Sequence, residues 1–248
     1  MTERGELSGR VAIITGAAQG IGRCIAESFA KDGAAVLIAD IQVEKAAAVT
    51  RKLSEAGHDA ASCAVDITDP DSADAMVATC LERFGSLDIL VNNAGIDAPT
   101  GFATDVSRDD WREVIDTDLT GQWWCTQSVM PHMIARGGGR IIFISSRSWQ
   151  SGSARLSVAY NAAKAGLVGL TIGLSVQLEP FGILVNAVAP GPTGTGRGPV
   201  SEAEGPDRFP LGILGPEPVA HACLYLARES GDWVSGTVLN VSGGRWRG

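Results

Sequence analysis

Thr15-Gly16-Ala17-Ala18-Gln19-Gly20-Ile21-Gly22 follows the apolar run Val11-Ala12-Ile13-Ile14 and leads into an amphipathic stretch near residues 20–31. Three glycines between a buried strand and a helix permit a tight turn, a close backbone approach to a bound group, and close helix–strand packing. The start of the helix then offers free N–H groups and the positive end of its dipole to a phosphate. The spacing Gly-x-x-x-Gly-x-Gly differs from the more usual Gly-x-Gly-x-x-Gly, but the strand–turn–helix context is what gives such a pattern meaning.

Outward from this turn the chain alternates. Residues 11–14, 35–39, 62–65, 89–91, 141–144, 184–188 and 238–241 are short apolar or β-branched runs that read as buried strands. Helical patterns lie between them, near 20–31, 43–56, 71–84, 109–134, 159–178 and 216–228. Continuous apolar strands alternating with helices predict an α/β fold: one Rossmann-type doubly wound parallel sheet of about seven strands, with helices on both faces. The spacing is regular and no linker breaks it, so residues 1–248 read as a single domain. Residues 192–210 depart from the rhythm, with glycines at 194, 196, 198 and 205 and prolines at 192, 199, 206 and 210. This composition predicts a long loop, a candidate substrate lid.

The chain carries 20 Lys and Arg against 28 Asp and Glu, a formal net charge of −8. That balance argues against nucleic acid or an anionic membrane as partner and suits a cytoplasmic enzyme. The N-terminus lacks the apolar segment of a secretion signal, and no apolar run approaches the ~18 residues of a membrane span. Five dispersed cysteines and three dispersed histidines predict neither a disulfide framework nor a metal site.

Asp40 ends the second strand, 18 residues past Gly22, where an acidic residue can accept hydrogen bonds from ribose hydroxyls and repel a 2′-phosphate. No arginine or lysine occupies positions 17–19 or 41–43. NAD is therefore expected in preference to NADP; Asp40 could equally cap the following helix.

Tyr160 and Lys164 stand four residues apart in a helical pattern and so share a face. An ammonium beside a phenol favours the phenolate. Two unit charges at ~4 Å and an effective dielectric of ~20 interact by about 4 kcal/mol, roughly three pKa units. That shift would bring a tyrosine into the range of a general acid/base. On spacing alone, a surface tyrosine beside a solvated lysine fits equally well.

Taken together, the Thr15–Gly22 turn, Asp66, Asn92-Asn93-Ala94-Gly95, Ser145-Ser146, Tyr160–Lys164, Pro190-Gly191 and the ending Gly236–Gly244 occur in the order found in the short-chain dehydrogenase/reductase family. The chain resembles that family over nearly its whole length. The resemblance implies an oxidoreductase that interconverts a secondary alcohol and a ketone with NAD. Tyr160 is the implied acid/base, and Lys164 the residue that lowers its pKa and binds the nicotinamide ribose. Ser146 is implied to hold the substrate oxygen. Ser146 lies 14 residues before Tyr160, one more than in many members, so Ser145 and Ser148 remain alternatives.

The implied cofactor site comprises Gly16, Gln19, Gly20, Ile21, Gly22, Asp40, Asp66, Ile67, Asn93, Ala94, Gly95, Tyr160, Lys164, Pro190, Gly191, Thr193 and Thr195. Asp66 and Ile67 would border the adenine, and Asn93 the adenosine ribose. Pro190–Thr195 would border the nicotinamide. Arg147 and Trp149, with Ser146 and Tyr160, would face the substrate; Arg147 and Arg155 could favour an anionic one, and solvated arginines are the alternative. Cavity walls are expected from residues 96–99, 147–153 and the 192–210 loop. In the family the helices corresponding to 109–134 and 159–178 form a tetramer interface, so the resemblance also implies a homotetramer.

One position departs from the family pattern. Asp118 stands where the family usually has an asparagine that holds a water linking the lysine to solvent. An ionised carboxylate accepts but does not donate, and it adds a negative charge that stabilises Lys164 and opposes a Tyr160 phenolate. The expected result is a more alkaline acid limb in the pH–rate profile than an asparagine would give. The alternatives are an NADPH-linked carbonyl or 3-oxoacyl-carrier ketoreductase and a non-catalytic NAD-binding regulator.

Overall fold

The computed structural model describes residues 5–96, 102–152, 156–194, 211 and 215–244. Seven strands form one parallel sheet: β1 (Val11–Thr15), β2 (Ala35–Asp40), β3 (Ala60–Ala64), β4 (Ile89–Asn92), β5 (Gly139–Ile144), β6 (Ile183–Pro190) and β7 (Val238–Val241). Their order across the sheet is β3-β2-β1-β4-β5-β6-β7. After β3 the chain crosses back over β1 to lay β4 on its far side. The ends of β1 and β4 therefore diverge into a crevice, the usual ligand site of an open α/β sheet.

Alternation along each strand divides the apolar side chains between two cores. Ala12 and Ile14 of β1 and Val36 and Ile38 of β2 pack beneath α1 (Gly20–Lys31), α2 (Val43–Glu55) and α8 (Glu217–Ala227). Val11, Ile13 and Leu37 point the other way, beneath α3 (Pro70–Phe84), α5 (Gly121–Arg136) and α7 (Val158–Leu178). Because both faces are covered, β1 is buried at every residue, as its unbroken apolar run predicted.

Ion pairs tie down the rim away from the crevice. Asp88, 2% exposed, accepts from the Val11 N–H at 2.8 Å and pairs with Arg10 and Arg136. Asp32 accepts from Arg228 Nε at 2.9 Å and Nη2 at 2.5 Å, joining the end of α1 to the end of α8.

The predicted strands and helices all form, with one difference. The expected helix at 109–134 is α4 (Arg108–Ile115), a π-helical turn over Asp116–Thr120, and then α5. The segment Asp116-Thr117-Asp118-Leu119-Thr120 is poor in strong helix formers. Gly121, which follows it, lies so close to β3's successor loop that a Cβ would come within 2.7 Å of Ile67 O. The wider turn accommodates this contact, and Asp118 within it is fully buried. From residue 195 onward the expected 192–210 loop lies outside the described residues.

Candidate active site

Gly16 and Gly20 take positive φ, +64° and +57°, the region that glycine enters without steric cost. A side chain at Gly22 would collide with Asn93 Nδ2 and Gly16 O, so α1 starts hard against the end of β4. Gln19 precedes α1 in extended conformation, makes no capping hydrogen bond through its side chain, and the first turn holds no acid. By contrast Asp69, Ser107 and Ser157 cap α3, α4 and α7. An uncapped helix start behind a glycine turn is what a pyrophosphate requires, so these residues fit a dinucleotide.

Asp40 is 4% exposed. Its Oδ2 accepts from Ala18 N–H and its Oδ1 from Gln42 N–H, each at 2.9 Å. It thereby fixes the glycine turn against the start of α2, and a carboxylate still has lone pairs for ribose hydroxyls. Lys45, two residues beyond positions 41–43, brings a cation to this side of the turn. Lys45 reaches back from α2, its Nζ 2.7 Å from Gln42 Oε1 and 3.4 Å from Gln19 Oε1. The i, i+3 spacing to Gln42 was the available signal.

On the far side of the crevice, Asn93 Nδ2 donates to Thr15 O (2.9 Å) and Gly16 O (3.1 Å). Thr15 Oγ1 accepts from Asn93 N–H and Ala94 N–H, and Ala94 O accepts from Gln122 Nε2. Asn93 was expected along the ribose; its amide nitrogen bonds the glycine turn and holds the turn's shape. Thr15 and Gln122 were not singled out in the sequence. Gly95 has space for no side chain without crowding, since a Cβ would lie 3.0 Å from Asp118 Oδ1.

Asp66 is exposed, and its Oδ1 accepts from Thr68 N–H (3.0 Å) and Thr68 Oγ1 (2.7 Å), while Ile67 is 5% exposed. Ile21 packs partly against the core beneath α1. At the end of β6, Pro190 O accepts from Arg147 N–H, Gly191 N–H donates to Val241 O, and Thr193 Oγ1 donates to Gly191 O at 3.0 Å. Thr195 and Arg155 lie outside the described residues, as do residues 97–99 and 153 of the expected cavity walls.

The catalytic candidates gather where α7 crosses the end of β5. Tyr160 is half-buried on Val114, Ala159 and Ala163, with Ile96, Ile115 and Leu119 around the same cluster. Lys164 is 5% exposed, and its Nζ lies 5.4 Å from the centre of the Tyr160 ring. The ammonium donates to Ile144 O at 3.3 Å. Asp118 Oδ2 lies 3.2 Å from it, within ion-pair distance but without an aligned hydrogen bond, so that contact is Coulombic. Asp118 Oδ1 accepts from Ile96 N–H at 2.8 Å. The carboxylate thus anchors the loop after β4 and the buried ammonium at once. Burying either charge alone would be costly; each supplies the other's partner.

Of the three serines, Ser145 is committed elsewhere: its Oγ donates to Lys164 O at 2.8 Å and binds α7 to β5. Ser146 is half-buried; its Oγ accepts from Ser148 N–H (3.2 Å) and lies in hydrogen-bond contact with Ser148 Oγ (3.0 Å). Ser148 is 3% exposed at the head of the short helix α6 (Ser148–Ser151). Arg147 and Trp149 are half-buried beside it, and Arg147 Nη1 donates to Ser151 Oγ at 2.6 Å. The thiols are poor nucleophiles by comparison: burial pushes Cys63 up to about 11 and Cys80 and Cys125 up to about 12. Among the described residues no group of three or more His, Cys, Asp or Glu is placed to hold a metal ion.

A doubly wound parallel sheet with an uncapped glycine turn at its switch point, and a tyrosine–lysine helix across the neighbouring strand end, defines a Rossmann-type oxidoreductase. The chain belongs to the short chain dehydrogenase family, whose model matches residues 10–204. It is 41% identical to the (2S)-[(R)-hydroxy(phenyl)methyl]succinyl-CoA dehydrogenase subunit of Thauera aromatica, over 96% of this chain and 97% of that one. It is 43% identical to cis-4-hydroxycyclohexanecarboxylate dehydrogenase of Sinomonas cyclohexanicum, over 95% and 96% of the two chains. Among solved structures, the 3-ketoacyl-(acyl-carrier-protein) reductase of Brucella melitensis complexed with NADH superposes with a TM-score of 0.89 at 32% identity, covering 96% of this chain and 99% of that one. The family acts on alcohol- and ketone-type substrates with a nicotinamide cofactor.

Proposed function

We propose that this protein is an NAD-dependent dehydrogenase of a secondary alcohol, with Tyr160 as the general acid/base. The observation that carries the reading is the buried Lys164 ammonium beside the Tyr160 ring, at the strand end that also presents Ser146. When bound, NAD supplies the hydride acceptor. The protein's own part is to hold the alcohol oxygen between the Ser146 hydroxyl and the Tyr160 phenol, and to receive the hydroxyl proton at the phenolic oxygen. Lys164 stabilises the phenolate electrostatically, and Ile144 O with Asp118 keeps the ammonium in place.

The preference for NAD rests on Asp40, a buried carboxylate where a 2′-phosphate would sit. Lys45 is the opposing charge on that side, but it is exposed and bridges two glutamine side chains, so solvent screens it. Two similar enzymes, named above, act on alcohols that also carry a carboxylate or a coenzyme A thioester, and Arg147 beside Ser146 suits an anionic group. The test is a screen of cyclohexanol, cis-4-hydroxycyclohexanecarboxylate, polyols, sugars, hydroxy acids and a 3-hydroxyacyl thioester, each with NAD and with NADP. Oxidation of a secondary alcohol with kcat/KM at least tenfold higher for NAD is expected. Faster turnover of a 3-oxoacyl thioester with NADPH would assign a ketoreductase, and NADH binding without turnover of any member would assign a regulator.

The same reading includes a cytoplasmic homotetramer. Its support is the outer face of α7: Val158, Ala162, Ala165, Gly169, Ile172, Gly173 and Val176 are exposed, with no charged residue among them. Ile172 is 52% and Val176 70% exposed. Gly169 and Gly173 leave open space into which a second helix fits closely. Sedimentation equilibrium is expected to give four times the chain mass of 25.7 kDa, and a monomer would remove this part of the reading.

A further inference from the structure

We propose that Ser148 is a positioning residue that fixes Ser146 as a hydrogen-bond donor toward the substrate oxygen; this rests on the assignment of Ser146 above. A hydroxyl has one proton and two lone pairs. Ser146 Oγ accepts from the Ser148 backbone N–H at 3.2 Å, which occupies one lone pair. The Ser148 hydroxyl lies 3.0 Å from the same oxygen, and among the described residues it is the only hydrogen-bond partner of Ser148 Oγ. Geometry alone leaves two directions for that bond. Burial decides between them. Ser148 is 3% exposed, so if Ser146 donated, the buried Ser148 proton would have no acceptor among the described residues, which is unfavourable. Ser148 therefore donates, and both lone pairs of Ser146 are filled.

The only group Ser146 then offers outward is its proton. It accordingly selects an acceptor, a ketone oxygen or an oxygen that is losing its own proton to Tyr160, and does not compete with Tyr160 for the alcohol proton. Two bonds donated into Ser146 Oγ also polarise its O–H and strengthen the bond that it makes. The interaction grows as negative charge develops on the substrate oxygen, so it favours the transition state over the ground state.

Position 148 is held for this purpose by the turn after β5. Arg147 N–H donates to Pro190 O, and Trp149 N–H donates to Ser146 O at 3.1 Å, which folds residue 148 back over 146.

The test is a double-mutant cycle of Ser146→Ala and Ser148→Ala, assayed with NAD and the alcohol of the panel above that is oxidised fastest, with NADH affinity read separately by fluorescence. Ser148→Ala is expected to lower kcat about tenfold, with KM and NADH affinity within about threefold of the parent, because removal of an oxyanion donor itself costs about 10²–10³-fold. In the Ser146→Ala background the same change is expected to cost less than about twofold. Ser148→Cys, similar in size but a far weaker donor, is expected to match Ser148→Ala. Unchanged kcat in Ser148→Ala, or an equal loss in both backgrounds, overturns the proposal and leaves the role of Ser146 standing. Parental kcat in Ser146→Ala alone overturns the assignment of Ser146 and the proposal with it.

Discussion

Replacing Tyr160 by phenylalanine is expected to lower kcat by about 10³-fold while NADH affinity stays within about threefold of the parent. The substitution removes one oxygen and nothing else. The ring continues to pack on Val114, Ala159 and Ala163, and the folded state should be retained. What disappears is the oxygen proposed to receive the substrate proton. Initial rates of NADH formation measure the first quantity, and fluorescence titration with NADH the second. Retention of more than a tenth of the parental kcat would show that another group, or water, takes the proton.

The second large effect concerns Asp118. Asp118→Leu removes the carboxylate partner of a lysine that is 5% exposed and leaves Ile96 N–H without its acceptor. Breaking a buried pair by deleting one member costs about 3–5 kcal/mol. Thermal unfolding should therefore fall by roughly 10 °C, at 2–4 °C per kcal/mol for a chain of this size. Asp118→Asn keeps the shape and the acceptor for Ile96, so its loss of stability is smaller and its effect is on charge.

The sign of that charge effect follows from the geometry. In the proposed mechanism Lys164 stabilises the Tyr160 phenolate, and the Asp118 carboxylate 3.2 Å from the ammonium offsets part of that field. Without the carboxylate the phenolate becomes easier to form. The acid limb of the kcat/KM profile is expected to move to lower pH in Asp118→Asn. An unmoved limb, or one displaced upward, would remove Asp118 from the electrostatics of the tyrosine.

Much of this was legible in the sequence because it rests on local periodicity. The glycine turn announced itself through the positions that need small residues. Tyr160 and Lys164 are one helical turn apart, so their shared face could be read from spacing. The seven apolar runs each became a strand because a parallel sheet buries both faces. What escaped reading depended on neighbours distant in the chain. The closeness of Gly121 to Ile67 and the π turn beside it are set by packing between α5 and the loop after β3. Asp118 was visible as a departure, but its simultaneous hold on Ile96 and Lys164 was not. The bonds from Asn93 Nδ2 to Thr15 O and Gly16 O likewise join segments far apart in the chain. The contact between the Ser148 and Ser146 hydroxyls is fixed by how the turn after β5 meets the end of β6.

The π turn at Asp116–Thr120 has a consequence for helical phase. Such a turn is one residue of surplus in an α-helix, and each residue advances about 100° around the axis. In an uninterrupted helix, α5 would be rotated by that amount relative to α4, and no single orientation of the rod could satisfy both ends. With the surplus in place, Val114 faces Tyr160, Asp118 faces Lys164 and Gly121 faces Ile67. The irregularity is thus a register device: one helix meets three separate surfaces because its winding slips once, at the residue that touches Lys164.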